Sequence, residues 1–369
     1  MISTKPSPRA RIYLSDYTTG RDNNFTLLRF VAATAVLVSH SFVLTGQVEN
    51  EPLTARFGLS LGAVAVHVFF VASGFLVTGS LLYRQSLRDF VAARALRIYP
   101  GLWVAVLVTI VAVGFAFTAR QIGQYMTDRE TWRYLARNAV LIRHPIATLP
   151  GAFSDVPYKD AVNGSLWTLP WEIRMYVALA AFWVLAKMLK VNAVRFLSAV
   201  CIALASVGTI YVLVLFLQKK DDVIALMSTM FAVGAALRVL QNRIPVSNRL
   251  AMVLCAVLML AAIFSPFIFG LIYRLAVPYL VVYFAFVPGG FIRHFNALGD
   301  YSYGIYIYAF PIQQATAHFL PGIQPYEMMA KSFALTLLFA VGSWHLVESR
   351  ALGLKDRFMK KQTSSSVAG

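Results

Sequence analysis

The sequence predicts an all-α, polytopic membrane protein of about ten transmembrane helices with both termini in the cytoplasm. Of its 369 residues, 59% are hydrophobic and only 13% charged, about half the charged share of an average soluble domain. Apolar stretches of roughly 18 to 25 residues recur along the chain, and about 20 such residues suffice to cross a bilayer core. Lipid offers the backbone no hydrogen-bond partner and none of these stretches alternates like a barrel strand, so each is expected to be helical.

Apolar windows place the spans near 25–45, 59–83, 100–118, 165–187, 194–217, 223–240, 250–269, 271–288, 302–320 and 330–348. The first carries Arg29 and His40 and is followed by no small-residue cleavage site, so it reads as a retained helix and not a removable signal peptide. The second carries His67. The third is expected to begin at Pro100, where a proline's missing donor is harmless. Residues 119–164 form one long outer loop, in which Arg129, Arg133 and Arg137 recur at helical spacing around Trp132 and Tyr134. That spacing predicts a short surface helix, either merely interfacial or a lid or docking surface for an acceptor. The fourth span holds Glu172 and Arg174. Ser265-Pro266 and Gly270 divide the seventh from the eighth, which holds Arg274, and a miscount there would invert the later topology. The chain thus divides into a cytoplasmic segment 1–24, a membrane domain 25–349 and a cytoplasmic tail 350–369, polar and disordered from Gln362 onward.

Charge gives the orientation. With both termini inside, 20 of the 33 basic residues face the cytoplasm, the asymmetry of the positive-inside rule. The net charge of +17 then reflects topology, and no nucleic-acid reader motif is present. Cys201 and Cys255 each lie in an apolar helix, indicating neither a metal site nor a disulfide framework. The absence of an internal repeat weighs against inverted-repeat transporters.

Ionisable groups inside a span are functional candidates, because lipid penalises them. Arg29 and His40 are eleven residues apart, about three helical turns, and so share one stripe. The plainer alternative is that Arg29 snorkels and His40 bonds a neighbouring helix. Counting inward from the outer helix ends places His40, His67 and Glu172 at similar depth, which suggests one polar site where a carboxylate could raise an imidazole's basicity. Arg94 and Arg97, three apart, are spaced to grip one polyanion through their planar guanidiniums, unless they are ordinary juxtamembrane charge. Trp167 and Trp171 suit an aromatic belt or a stacking platform for a sugar ring. Tyr303, Tyr306 and Tyr308 read as packing and interface anchors.

The pattern resembles the acyltransferase 3 family, membrane enzymes that O-acylate extracytoplasmic glycans. Nearly the whole chain takes part, from Asn24 to about Ser349. The pieces appear in family order: Leu28-Arg29-Phe30 with His40; Val68 to Leu76, including Ser73-Gly74-Phe75; and Phe90, Arg94 and Arg97 before Ile98-Tyr99-Pro100. Asn163-Gly164-Ser165-Leu166-Trp167 leads to Glu172 and Tyr176, and Ser302 to Tyr306 precede Glu348. The resemblance implies functional importance for Arg29, His40, Arg94 and Arg97. Ala309 departs from it, standing where many relatives have a histidine. No esterase-like domain is expected after the last span, which resembles the stand-alone members.

These readings lead to the expectation of an O-acyltransferase in the bacterial inner membrane, using acetyl-CoA or another acyl-CoA as donor substrate and holding no permanent cofactor or metal. Arg94 and Arg97 would bind the donor's phosphates, with Arg29 and Ser73 also on the donor side. His40 would deprotonate a glycan hydroxyl or be transiently acylated, and Glu172 would orient His40 or act on the acceptor. His67, Asn163, Trp167 and Trp171 would support the acceptor. The alternative is a transporter or flippase for a small anion or lipid-linked sugar, with Arg29, His40 and Glu172 as a relay.

Overall fold

The computed structural model describes residues 12–18, 20 and 22–354. Lys5, Arg9, Arg11 and Arg21, counted among the 20 basic residues expected on the cytoplasmic face, and the tail beyond residue 354 lie outside the described residues. Among the described residues, thirteen α-helices follow one another. They are α1 (Phe25–Leu44), α2 (Pro52–Phe57), α3 (Leu61–Arg84), α4 (Leu87–Ala116), α5 (Ile122–Thr127), α6 (Arg129–Val140) and α7 (Leu169–Met188). Then come α8 (Ala193–Leu217), α9 (Val223–Val239), α10 (Asn248–Phe264), α11 (Pro266–Phe286), α12 (Ser302–Phe319) and α13 (Pro325–Ser343).

Every expected window contains a helix, yet among the described residues only 7 helical stretches are by themselves long and apolar enough to cross a membrane. These are the ones built on α1, α3, α4, α7, α8, α11 and α13. The apolar α9 and α10 have 17 residues each. α12 is set apart by its polar content, and it is the helix that neighbours shield: Ser302 to Gln314 are all buried. Its amides are satisfied from the sides. Gln313 donates to the Leu37 carbonyl and the Ser41 hydroxyl of α1, both at 2.8 Å. Gln314 donates to the carbonyls of Tyr158 at 2.7 Å and Ala161 at 2.6 Å.

Two boundaries are informative. Pro100 does not begin a span: α4 starts at Leu87, capped by the Ser86 hydroxyl, and carries the proline inside it. A proline there frees a carbonyl one turn back, which membrane helices tolerate when neighbours supply donors. Two residues before the proline, the Tyr303 hydroxyl donates to the Ile98 carbonyl at 2.8 Å. The seventh and eighth windows separate at Ser265, whose hydroxyl caps α11 at Ile268 while Pro266 takes the first turn, the position where its ring fits a helix.

Close packing of α3 on α9 explains part of the Ser73-Gly74-Phe75 string. A Cβ at Gly74 would stand 2.0 Å from the Phe231 carbonyl oxygen, and one at Gly234 would stand 2.2 Å from that of Val71. Only glycines permit the two backbones to meet so closely.

The segment between α4 and α7 does not stand off as a surface loop. α5 and α6 pack back along α4: Tyr125 of α5 donates to the Ile110 carbonyl at 3.0 Å, and at α6 Trp103 donates to Ala139 at 3.0 Å and Tyr99 to Val140 at 3.1 Å. Asn138 then clamps the returning chain, giving and receiving 2.8 Å bonds with Ile146. Residues Ala161, Val162, Asn163 and Ser165 enter the interior before α7 begins.

Candidate functional site

Two cavities in the bundle hold most of the candidate residues. The smaller, about 110 Å³, is lined by Arg29, Ser73, Arg94, Arg97, Glu172, Tyr176, Tyr303 and Tyr306 among others. The larger, about 650 Å³, is lined by His40, His67, Trp167, Tyr158, Phe310 and Tyr306 among others. Val66 and Tyr306 line both, so they form a shared wall. Arg29 sits in the second turn of α1 and His40 in its last turns, so one stripe of one helix serves both chambers. The two sides are called here the arginine end and the histidine end.

At the arginine end the charges are largely mutual. Asp300, two residues before α12, receives Arg29 at 2.8 Å and Arg97 at 2.7 Å on the same oxygen. Its other oxygen accepts the Ser302 hydroxyl at 2.5 Å. Arg97 also lies 3.7 Å from Glu348, in the wide turn that continues α13, and Glu348 accepts the Ser343 hydroxyl at 2.8 Å. This network ties α1, α4, α12 and α13 together. Breaking a buried pair of this kind leaves an uncompensated charge, at about 3–5 kcal/mol.

Arg94 behaves differently from Arg97. It has no carboxylate within ion-pair distance among the described residues. Its guanidinium lies 5.9 Å from the Tyr176 ring centroid, and its Nε is buried without a partner. The two arginines line one cavity, but Arg97 is turned into Asp300 and Glu348, so Arg94 is the guanidinium with spare donors.

Below Arg94 lies a compact hydrogen-bonded cluster. Ser73 donates to Glu172 at 2.9 Å and meets the Tyr176 hydroxyl at 2.8 Å. Tyr176 also donates to Glu172. The common depth expected for Glu172, His40 and His67 is therefore corrected: Glu172 lines the small cavity, the two histidines the large one. The expectation measured depth from residue 165 as if it lay at the surface. In the structure Ser165 and Leu166 are already buried, in a 3-10 turn that starts α7 well inside the bundle.

At the histidine end His40 packs edge-on against Phe310, ring centroids 5.3 Å apart, and its buried Nδ1 has no hydrogen-bond partner. His67 is committed elsewhere, its Nδ1 lying 2.8 Å from the Tyr273 hydroxyl. Arg274 is explained by its own surroundings. It sits on the Phe216 ring at 4.0 Å, reaches Asp221 at 3.2 Å and donates to the Gly270 carbonyl at 2.8 Å.

The remaining sequence candidates divide by role. Asn163 is buried and structural in its contacts, donating to the Ile307 carbonyl at 2.9 Å and accepting the Ser165 N–H at 3.1 Å. Trp167 lines the large cavity, whereas Trp171 lies under the Arg174 guanidinium at 4.2 Å and outside both cavity linings. Tyr306, read from sequence as an anchor, holds the wall: its hydroxyl donates to the Ser165 carbonyl and meets Thr168 Oγ1, both at 2.6 Å. Asp300 escaped the sequence reading altogether. The signal was present, since it is one of only 16 acidic residues and stands beside a predicted span at an end rich in arginine.

Comparison with known proteins adds to this geometry. An O-acetyl transferase of Shigella phage Sf6 is 29% identical over 357 residues, covering 90% of this chain and 96% of that protein. Nodulation protein 10 of Rhizobium leguminosarum bv. viciae is 32% identical over 171 residues, 45% of each chain. No solved structure matches. The acyltransferase domain family matches residues 22–347, a stretch that contains both cavities, their shared wall and the arginine network apart from Glu348, and the chain belongs to the acyltransferase 3 family.

Proposed function

We propose that this protein transfers an acyl group, acetyl in the first instance, from an acyl-CoA on the cytoplasmic side to a glycan hydroxyl on the opposite side of the bacterial inner membrane. The reading takes all ten long helices as spans and both termini as cytoplasmic, which puts the arginine end on the donor side. The single observation that carries it is the pair of chambers separated by Val66 and Tyr306, with an arginine cluster on one side and an unpaired imidazole on the other.

The small cavity is below the roughly 300–1,000 Å³ of pockets that enclose a whole drug-sized ligand. It suits the thioester end of an extended donor, whose phosphates would lie at its mouth with Arg94 as the available guanidinium. Ser73, Glu172 and Tyr176 position Arg94 from below. Arg97 and Asp300 hold the frame, and Arg29, paired to the same carboxylate, borders the donor's path. The large cavity is of whole-ligand size and offers Trp167 and Tyr158 as faces for a sugar ring.

In this mechanism His40 accepts the proton of the acceptor hydroxyl as its oxygen attacks the thioester carbonyl carbon. The tetrahedral adduct collapses with cleavage of the carbon–sulfur bond. The CoA sulfur takes the proton back from the His40 imidazolium at the gap in the wall, and the thiol leaves towards the cytoplasm. Glu172, on the donor side of the wall, does not orient His40 in this scheme. The family favours this reading over a transporter, for which the buried charges alone had argued.

The test is mass spectrometry of surface glycan from cells carrying the wild-type or the His40→Ala chain, together with thermal stabilisation of the purified protein by acetyl-CoA. Loss of acyl groups in the variant with donor stabilisation retained is the expected result. Unchanged acylation, or equal stabilisation by free acetate, would overturn the proposal.

A further inference from the structure

The polar segment between α4 and α7 runs unusually deep. Arg97 on α4 shares Asp300 with Arg29 near the start of α1, which fixes the level of that turn. The last turn of α6 is bonded to Tyr99 and Trp103, within about two helical turns of Arg97. Arg143 and His144 follow directly. On α7, Arg174 lies 14 residues before Met188, the last residue of that helix, hence about 21 Å from its end at the usual rise. Three basic side chains thus stand on the flank of the bundle at a depth where lipid strongly disfavours them.

All three are exposed, and none has a carboxylate within ion-pair distance among the described residues. They form one patch. Arg174 lies on the Trp171 ring at 4.2 Å and donates to the Ile142 carbonyl at 3.4 Å, the residue next to Arg143. The His144 ring is 6.1 Å from Trp171. Two buried donors nearby also lack partners, the Trp171 indole N–H and Nε of Arg137 in the last turn of α6. Trp167, Trp171 and Arg174 succeed one another at helical spacing, and Trp167 lines the large cavity.

An anion is the missing complement. In a bilayer the anion that reaches such a depth is a lipid phosphate drawn inward by guanidiniums, while its tail stays among the acyl chains. We infer that Arg143 and Arg174, with His144 and Trp171, bind the phosphate or pyrophosphate of a lipid that carries the acceptor glycan. The sugar would then extend past Trp167 into the large cavity. The inference rests on the glycan-acceptor reading above and names how that acceptor is presented.

The test uses the full chain in nanodiscs of neutral phospholipid, with a polyprenyl pyrophosphate as probe and binding read by native mass spectrometry. The double variant R143Q/R174Q is expected to bind it at least about tenfold more weakly, as two charge-assisted bonds are lost. R143Q alone, on an exposed turn, gives a smaller loss in the same direction and serves where the double variant fails to fold. R133Q is the charge-matched control, because Arg133 already pairs with Glu130 at 3.1 Å, and it should bind like wild type. Wild-type affinity in R143Q overturns the inference. So does equal competition by inorganic pyrophosphate, which would mark a free-anion site, or equal binding of phosphatidylglycerol, which would mark generic lipid attraction. Binding is read without turnover, so failure of wild-type protein to acylate any glycan would count against the proposed function and not against this site.

Discussion

The two chambers solve the problem of charge inside a membrane bundle in opposite ways. Around the small cavity Arg29, Arg97, Asp300 and Glu348 answer one another, and the serines at 302 and 343 complete the carboxylates. Around the large cavity the histidine with a free nitrogen stands alone against a phenyl ring. A paired network resists change and fixes geometry, whereas an unpaired group keeps its lone pair for a substrate. In the proposed mechanism, frame and reagent are thus separated along one helix, α1, by about three turns. Arg94 is the exception that proves useful at the frame end, since it alone among the three arginines of the small cavity has no carboxylate.

The sharpest way to break this contrast is to remove each kind of group in turn. His40→Ala should lower the transfer rate by about 10²–10⁴-fold, the range for loss of a general base, with thermal stability near wild type. A large fall in melting temperature instead would show His40 to be frame and not reagent. Asp300→Asn should do the reverse. It leaves two guanidiniums sharing a neutral amide, a loss of about 3–5 kcal/mol, visible as a lower melting temperature in detergent and reduced yield. Retained stability in that variant would mean that the network is solvated and the frame lies elsewhere.

How much of this was readable beforehand divides along the same line. The helices followed from apolar length, and the shared stripe of Arg29 and His40 followed from helical period, because both are local properties of one segment. The position of Glu172 did not follow, since it depends on how far residues 161–168 are drawn inward, and that is decided by Gln314 and Ile307 on a distant helix. Pro100 was placed at a helix start on a sound local rule, yet Ser86 caps α4 four turns earlier and the Tyr303 hydroxyl serves the backbone near the proline. Asp300 shows its role only where Arg29 of α1 and Arg97 of α4 converge on it. Partners far apart in sequence are what no single segment reveals.

Smaller effects sharpen the division between the chambers. Arg94→Gln should raise KM for the acyl-CoA roughly tenfold, the loss of about one charge-assisted interaction, with stability little changed because no carboxylate is left unpaired. A change in kcat alone would instead tie Arg94 to the chemistry. Tyr306→Phe removes the hydroxyl that braces the wall between Ser165 and Thr168 and leaves their buried groups without a partner, at about 1–3 kcal/mol. Acyl-CoA hydrolysis without acceptor should rise relative to transfer. An unchanged ratio would show that the wall does not keep donor and water apart.

The weakest effect tests the exposed border of the large cavity. Asp155 pairs with His318 at the end of α12, Nδ1 to carboxylate 2.7 Å, in the same segment that brings Tyr158 to the cavity lining. The hydrogen bond from His318 holds the Asp155 carboxyl below its ordinary value of 3.8. A lowered folded value means stabilisation that is complete above 3.8 and disappears as pH falls through the folded value. Asp155 is more than half exposed, so screening limits the contribution to a few tenths of a kcal/mol at most, about the lower end for surface pairs. Asp155→Asn should therefore barely shift the melting temperature at neutral pH, and the small shift should vanish in strong acid. An effect near that of Asp300→Asn would show that the histidine end, too, is held by its charges.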